Sequence, residues 1–346
     1  MSTAWVRRSM SHYSERHSFG AEVLVVADKQ RNPVQGMNMD LCIVLVNWRK
    51  EEETRRCATA LMRWQKLQPK VLIIDNESTE ASRAALREFI GADQLVCSAT
   101  NLGYSGGNNL GIEHALAAGC EYILLLNADA DLPEDSARRL LKRLEENPQV
   151  SILGPVIVEA PHGWDQPLAG GRDIARHVFT RVKLRRDRIK QLRDYPLRAV
   201  DYVPGTVFLA RAELFRDTGL LDEKYFFSGE IADLCKRASA KAQGICIDLE
   251  VEVRHRPEAA AANSRAVLYT YYSLRNRFLY VSKHHAASRH LYFLYWTTIA
   301  ALMLVHALAR RNPSKARAIL LAVIDGYQHR FGNQNALFAS GPGARA

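Results

Sequence analysis

The ten residues 122-YILLLNADAD-131 decide the fold, because a short apolar run passes directly into an acidic loop. Such a run is too short for a core helix and suits a strand that is buried on both faces of a parallel sheet. Asn127, Asp129 and Asp131 follow at the point where the strand ends. Ligands of open parallel sheets bind beyond the carboxyl ends of the strands, so the sequence predicts a binding site here.

Similar apolar runs recur on both sides of this segment, with helical stretches between them. The predicted strands are 41–46, 71–74, 94–97 and 151–158, and the predicted helices include 51–67, 80–90 and 134–146. This alternation is typical of an α/β fold with a doubly wound parallel sheet. Polar residues again stand just after the strands, at Asn47, Asp75 and Asn76.

The carboxylates of Asp129 and Asp131 are two residues apart in a loop, so both can approach one divalent cation. Mg²⁺ and Mn²⁺ prefer oxygen ligands of this kind, and substrate phosphates can complete the coordination. The alternative is a pair of solvated aspartates, with Asp131 capping the next helix. The spacing alone leaves both interpretations open.

A stretch rich in Gly and Asn, 101-NLGYSGGNN-109, precedes a helix that is predicted to end near Gly119. Backbone N–H groups at the start of a helix attract phosphate groups. Asn101, Gly103 and Asn108 are therefore candidate phosphate-binding residues. The stretch lacks the Lys of a P-loop and the G-x-G-x-x-G spacing, and a plain turn before a helix is the alternative.

Seven segments in fixed order resemble the family 2 glycosyltransferases, and among them the rhamnosyltransferase-like enzymes of bacterial polysaccharide assembly. The segments are 44-VLVNW-48, 75-DNES-78, 101-NLGYSGGNNLGI-112, 123-ILLLNADAD-131, 204-PGTVFLARAELF-215, 219-GLLDEKYFFSGEIADLCKR-237 and 253-VRH-255. The resemblance implies a GT-A fold, which is a Rossmann-like, mostly parallel sheet with flanking helices. It also implies inverting sugar transfer from a nucleotide-sugar donor with a divalent metal, Mg²⁺ or Mn²⁺.

The resemblance further implies roles for single residues of this chain. Asn47 and the turn Asp75–Asn76 would contact the nucleoside. Asp129 would face the ribose, and Asp131 would bind the metal. His255 follows a predicted strand and would lie near the metal and the diphosphate, although an isolated His is more often an ordinary core or surface residue.

The catalytic base departs from the pattern of the family. These enzymes commonly carry Glu-Asp-x-Asp after Phe-Phe, and the middle carboxylate is usually taken as the base. This chain has Glu230, Ile231, Ala232 and Asp233, so an Ile stands at the expected position. Inversion needs a carboxylate within hydrogen-bond reach of the acceptor hydroxyl, and Glu230 is the first candidate and Asp233 the second. The alternative is that both acids only stabilise the start of a helix.

The chain is predicted to divide into three regions. Residues 1–38 are polar, lack the apolar segment of a secretory signal and are interpreted as a flexible extension. Residues 39–262 form the catalytic domain, with 39–158 as the nucleotide-sugar-binding half and 159–262 as the acceptor half. Residues 263–346 are predicted to be helical, amphipathic to apolar and membrane-associated.

The net charge of +10 is concentrated in one segment, because residues 172–198 contain ten basic and three acidic residues, a net +7. The segment has no interleaved aromatic platform of the kind that nucleic-acid binders use, so nucleic acid is not an expected partner. A solvated mobile loop is one interpretation. Contact with the diphosphate of a lipid-linked acceptor, or with anionic headgroups, is the other.

Residues 291–309 contain no Asp, Glu, Lys or Arg, and a second apolar helix is predicted over about 316–324. Nineteen residues just span a bilayer, but several polar side chains make the run only moderately apolar. An interfacial helical pair, or one that packs on the catalytic domain, is favoured over a true span. The expected location is therefore cytoplasmic and peripheral on the inner face of the membrane, through 172–198 and 291–324.

Three functions remain open from the sequence. The first is a hexosyltransferase that moves a sugar from dTDP-rhamnose or a UDP-sugar to a saccharide or lipid-linked acceptor in surface polysaccharide biosynthesis. The second is a transferase-like nucleotide-sugar-binding or scaffold protein that lost turnover, as Ile231 suggests. The third is a nucleotidyltransferase, but the first strand is not followed by a Gly-rich, basic phosphate loop. The six cysteines have no zinc-ligand spacing and indicate a reducing compartment.

Overall fold

One sheet of eleven strands organises the part of the chain that the computed structural model describes, residues 40–159, 166–192, 194–256 and 262–338. The strands are β1 (Leu41–Asn47), β2 (Lys70–Asn76), β3 (Leu95–Ser98), β4 (Tyr122–Leu126), β5 (Ala130–Asp131), β6 (Val150–Glu159), β7 (Leu168–Gly171), β8 (Arg181–Lys183), β9 (Leu197–Ala199), β10 (Val207–Arg211) and β11 (Gly244–His255). The α-helices are α1 (Glu51–Met62), α2 (Glu80–Phe89), α3 (Gly103–Ala117), α4 (Glu134–Glu146), α5 (Arg186–Gln191), α6 (Ala212–Thr218), α7 (Glu230–Ala240), α8 (Ala262–His284), α9 (Arg289–Ala309) and α10 (Pro313–Tyr327). The predicted extension 1–38 lies outside the described residues.

The sheet follows the order β3-β2-β1-β4-β10-β6-β11-β5. Strands β1 to β4 are parallel to one another, as the alternation of strands and helices predicts. Strand β10 is antiparallel to both of its neighbours, β4 and β6, so β6 and β11 again run in the direction of β1. The carboxyl ends of β1, β2, β4, β6 and β11 therefore meet at one edge of the sheet.

Alternate residues of β1 pack on opposite faces of the sheet. Ile43 and Leu45 belong to the apolar cluster that includes residues of α1 and α4, whereas Val44 belongs to the cluster that includes residues of α3. Helix α3 lies very close to the sheet at Gly111, where a Cβ atom would be 2.3 Å from Val44 Cγ1. A larger residue at this position would push the helix away from β1.

Helix α1 ends at Met62, so the prediction that it extends to residue 67 is wrong. The carboxylate of Glu134, at the start of α4, accepts hydrogen bonds from the backbone N–H groups of Gln65, Lys66 and Leu67. These N–H groups are thereby committed to a partner outside the helix. Pro69 follows and favours an extended chain before it.

Within the basic segment 172–198, the described residues contain β8, α5 and β9. Strand β9 pairs with β11, and β8 pairs with β7 at the edge of the main sheet. Two of the arginines form ion pairs with this sheet, Arg181 with Glu159 and Arg186 with Glu252. The interpretation as a solvated mobile loop is therefore wrong for this part of the segment.

Helices α8, α9 and α10 form a third apolar cluster that packs on the catalytic region. The indole Nε1 of Trp296 in α9 donates to the carbonyl of Ala175, and the guanidinium of Arg277 in α8 lies 3.8 Å from the centre of the Trp296 ring. In the described chain, one helical segment is long and apolar enough to cross a membrane. It is Ala286–Ala309, which consists of α9 and the short turn before it, and 22% of its most apolar part is buried.

Candidate active site

The predicted nucleoside-binding residues form a buried network at the ends of β1 and β2. The Asn47 side-chain amide donates to Asp75 Oδ1 and to Ser78 Oγ, at 3.2 and 3.0 Å. The hydroxyl of Thr54 donates to Asn47 Oδ1, and Arg83 Nε donates to Asp75 Oδ2 at 3.0 Å. Asn47 and Asp75 are fully buried, so the network fixes this edge of the sheet. Their contact with a nucleoside stays a prediction.

The Gly/Asn-rich stretch is the beginning of α3, and the prediction of a loop before the helix is wrong for residues 103–109. Asn76 ties its first residues to β2, because its amide donates to the Gly103 carbonyl and its Oδ1 accepts from Leu102 N–H. The Asn101 side chain accepts from Gly103 N–H, and Asn108 donates to the Tyr104 carbonyl.

The N–H groups that were expected to bind phosphate already have partners within the protein. Tyr104 and Ser105 both donate to the carbonyl of Phe226, and Gly106 donates to that of Leu102. Gly103 fits only as glycine, because its φ is +71° and a Cβ atom would lie 2.3 Å from the Phe226 oxygen. A direct contact of Asn101, Gly103 or Asn108 with the donor is thus still a prediction.

The acidic loop after β4 turns back onto the end of β11. Strand β5 pairs His255 with Ala130 and Arg254 with Asp131, which brings Asp129 within 3.1 Å of His255 Nε2. The two atoms are not aligned for a hydrogen bond, and both ring nitrogens of His255 are buried without a hydrogen-bond partner. Burial opposes the charge of Asp129, but His255, together with the positive charges of Arg265 and Lys50, outweighs it and lowers the pKa of this carboxyl.

Asp131 is more exposed, and its carboxylate forms an ion pair with Arg256 at 2.7 Å. No group of three or more His, Cys, Asp and Glu side chains that could hold a metal occurs within the described ranges. Asp131 and His255 stay the predicted metal ligands, and the diphosphate of a donor would have to complete the coordination. One ring nitrogen of His255 would be able to bind a cation, because neither nitrogen makes a hydrogen bond, although Nε2 lies 3.1 Å from Asp129 Oδ1.

Glu230 is the first residue of α7 and is positioned by a left-handed Gly229, with a φ of +105°. Its side chain is buried, and Oε2 has no hydrogen-bond partner. Burial, and then the charge of Asp233, raise the pKa of Glu230 to about 7. A carboxyl in this state can exchange a proton near neutral pH.

Asp233 lies one turn further along α7 and has charged partners of its own. Its carboxylate accepts hydrogen bonds from Arg237 Nε and Tyr225 Oη and contacts Lys283 and His284 at 2.6 and 2.8 Å. Burial opposes its charge, but His284, Lys283 and Arg237 outweigh it and hold the pKa of Asp233 well below its usual range. It has little tendency to accept a proton.

Glu230 and His255 line the same cavity, which has a volume of about 190 Å³. Other residues of the wall are Glu159, Arg181, Tyr202, Thr206, Ser228, Tyr269, Asn276 and Arg277. The sequence analysis missed Asn276 and Arg277, which come from α8, beyond the predicted catalytic domain. Their place in 275-RNR-277, between the Tyr-rich segment 269–272 and the apolar segment 278–281, was the available signal.

A sequence profile of Glycosyl transferase family 2 matches residues 42–218, just over half of the chain. The chain belongs to this family. It is 25% identical over 309 residues to the low-salt glycan biosynthesis hexosyltransferase Agl10 of Haloferax volcanii, covering 86% of this chain and 94% of that protein. It is 21% identical over 256 residues to the dTDP-rhamnosyl transferase RfbF of Shigella flexneri, covering 72% and 82%.

Among solved structures, the chain is similar to the mannosyltransferase PcManGT from Pyrobaculum calidifontis in complex with GDP-Man and Mn²⁺. The TM-score is 0.56 at 14% identity, and the alignment covers 94% of each chain. This likeness concerns the fold and confirms the predicted GT-A architecture with C-terminal helices. Membership of the family makes this chain a transferase of the glycosyltransferase class.

Proposed function

We propose that this protein is an inverting hexosyltransferase that moves a sugar from a nucleotide-sugar donor, dTDP-rhamnose or a UDP-sugar, to a saccharide or lipid-linked acceptor. Its pathway would be the biosynthesis of a surface polysaccharide. The observation that carries this proposal is one cavity lined both by Glu230, whose Oε2 has no hydrogen-bond partner, and by His255, which contacts Asp129 of the acidic loop. The curated relatives support the class of reaction.

In the proposed mechanism, Glu230 removes the proton from the acceptor hydroxyl as that oxygen attacks the anomeric carbon on the face opposite the nucleotide. A new carbon–oxygen bond forms, the bond to the diphosphate breaks, and the proton stays on Glu230. Asp131 and His255 would hold a Mg²⁺ or Mn²⁺ ion, which supplies positive charge for the departing diphosphate. The buried setting of Glu230 excludes water from the carboxylate.

The proposal is tested with a panel of dTDP-, UDP- and GDP-sugars, each with and without Mn²⁺. A bound donor raises the melting temperature by mass action, so one nucleotide class should stabilise the protein. The matching sugar is then followed by its transfer or slow hydrolysis. The proposal fails if the protein binds every member of the panel too weakly to shift its melting temperature.

We expect Asp131→Ala to abolish the part of donor binding that depends on Mn²⁺, because a carboxylate ligand is lost. The melting-temperature shift produced by donor plus Mn²⁺ should fall to that of donor alone. The matched control is Asp135→Ala, an exposed carboxylate on α4 that forms ion pairs with Arg138 and Lys66. Equal Mn²⁺ dependence in both variants would contradict the metal assignment.

A catalytically impaired nucleotide-sugar-binding protein is the second candidate, and Ile231 favours it. This side chain is buried in the apolar cluster of the sheet and takes the place of the expected carboxylate. The other carboxylate of the cavity wall, Glu159, is paired with Arg181. This function would show donor binding without transfer, and Glu230→Gln would change no activity.

We also propose that α9 and α10 lie on an anionic membrane surface. Their outer faces expose large apolar side chains at helical spacing, namely Leu291, Leu294, Leu302, Val305, Leu308, Leu320 and Ile324. Arg289, Arg310 and Arg311 flank the apolar run and carry the charge that anionic headgroups attract. Phe179 of the basic segment is also strongly exposed. This part of the segment lies next to the helices, because Arg277 donates to the Val178 carbonyl and Trp296 donates to the Ala175 carbonyl.

Replacing Leu302 and Val305 together by Gln should weaken binding to vesicles that contain phosphatidylglycerol by tenfold or more. Each apolar side chain contributes about 1.5–3 kcal/mol when it is fully buried, so a partial loss of two suffices. Vesicle sedimentation measures the effect, and Met62→Gln, an exposed apolar side chain on α1, is the control. Unchanged sedimentation of the double variant would contradict this membrane surface.

A further inference from the structure

The loop that precedes Glu230 has an unfavourable backbone. Phe226, Ser228 and Gly229 have φ angles of +61°, +70° and +105°. A left-handed conformation costs a residue other than glycine about 1 kcal/mol or more, so the surrounding structure must hold this loop in place. Glu230 begins α7 directly after these residues, and its carboxylate therefore takes its position from them.

Asn276, on α8, holds this loop from one side. Its amide nitrogen lies 2.9 Å from the Tyr225 oxygen, 2.9 Å from the Phe227 oxygen and 2.6 Å from the Ser228 oxygen. Its Oδ1 accepts two hydrogen bonds from the guanidinium of Arg275, which fixes the orientation of the amide. The amide is almost fully buried, so water does not compete for these carbonyl groups.

Arg275 and α3 complete the support. The buried Arg275 donates to the carbonyls of Lys224, Tyr225 and Gly332 and lies against the ring of Tyr272. From the opposite side, the first turn of α3 donates two N–H groups to the carbonyl of Phe226. The loop is thus held between the first turn of α3 and helix α8, directly before Glu230.

We propose that Asn276 is a positioning residue, which holds the Tyr225–Gly229 loop so that the carboxylate of Glu230 points into the cavity. The inference rests on the proposed role of Glu230 as the base. Asn276 itself lines the cavity next to Ser228 and Gly229. Without its amide, the carbonyls of Phe227 and Ser228 lose this donor, while that of Tyr225 keeps Arg275. The strained residues can then relax, which turns the carboxylate away from the acceptor.

The ionisation of Glu230 reports on this position. The charged and titratable groups around it are Asp233 on its own helix, Tyr104 of α3, and Glu159, Arg181, Tyr202, His255, Tyr269 and Arg277 on the cavity wall. Substitution of the neutral Asn276 leaves all of these charges in place. A changed titration midpoint of Glu230 would therefore reflect its burial and position.

Asn276→Ala and Asn276→Ser test the inference. The control is Ser282→Ala on the same helix, where the hydroxyl donates to the Phe278 carbonyl of its own helix. In protein labelled with [5-¹³C]glutamate, the carboxyl resonance absent from Glu230→Gln identifies Glu230. We expect its midpoint near 7 to fall by at least one pH unit in both Asn276 variants. With the active sugar from the donor panel, kcat should fall at least tenfold and KM less than threefold.

Asn276→Ser keeps one hydrogen-bond donor and a small side chain, so it covers the case in which Asn276→Ala does not fold. Melting curves and the donor-induced shift identify the folded variants. An unchanged midpoint and kcat in a folded variant would overturn the positioning role. Full activity of Glu230→Gln would instead overturn the proposed base, and the two failures are therefore distinguishable.

Discussion

Replacing Glu230 by Gln should lower the rate of sugar transfer by a factor of about 10²–10⁴ and leave donor binding unchanged. Gln has nearly the same shape, so the cavity keeps its form, but it cannot remove the proton from the acceptor hydroxyl. Transfer to the acceptor and the donor-induced shift in melting temperature measure the two effects separately. The matched control is Glu213→Gln, an exposed glutamate in the first turn of α6.

The role of Glu230 as a base also predicts the direction in which kcat changes with pH. A base must be ionised, and the pKa of Glu230 is raised to about 7, so kcat should rise with pH and reach half of its maximum near pH 7. A raised carboxyl pKa also means that the fold loses stability as the pH rises from the unfolded value of about 4.3 to about 7, and the loss is complete above that pH. Glu230→Gln should therefore be more resistant to urea than the parent protein at pH 8. A flat pH profile of kcat between 5 and 9 would contradict the assignment.

The catalytic sheet was predictable from the sequence because its strands are short, apolar and buried on both faces. The apolar runs at β1, β2, β4 and β6 are too short for core helices, so a strand is the regular structure that fits them. Turns with polar residues follow β1, β2 and β4. That these turns share one edge of the sheet is a consequence of parallel topology. The antiparallel direction of β10 had no comparable signal, since its pairing depends on where the chain returns.

The start of α3 could not be predicted from local preference. Glycine costs about 1 kcal/mol relative to alanine in a helix, so 103-GYSGGNN-109 resembles a loop. The structure shows why the glycines are there: a Cβ atom on Gly107 would lie 3.0 Å from Val46 Cγ1, and one on Gly103 would collide with Phe226. Tertiary contacts therefore decide the helix, and a single sequence does not display them.

The two acids of α7 show a similar limit. The sequence placed Glu230 and Asp233 three residues apart and ranked them as first and second candidates for the base. The two acids differ in pKa because Lys283 and His284, at the end of α8, contact the carboxylate of Asp233 and not that of Glu230. No local sequence pattern predicts these partners. The ranking stays a prediction, but only Glu230 faces the cavity.

Replacing Asp233 by Ala should lower the free energy of unfolding by about 3–5 kcal/mol, the usual cost of removing one partner from a buried ionic cluster. Arg237 and His284 would lose their carboxylate partner, and Lys283 would keep only its ion pair with Asp222 among the described residues. Urea unfolding should show a lower midpoint with little change in slope. The control, Asp222→Ala, removes a more exposed partner of Lys283 and should cost about 1 kcal/mol or less.

The low pKa of Asp233 also fixes the pH range of this stabilisation. A carboxyl whose pKa is lower in the folded protein than in the unfolded chain stabilises the fold above its unfolded value of about 3.9, and this contribution is lost as the pH falls below it. The difference in stability between the parent protein and Asp233→Ala should thus be constant from pH 5 to 6 and shrink below pH 4. A difference that stays constant down to pH 2 would mean that Asp233 stabilises α7 by packing and not by charge.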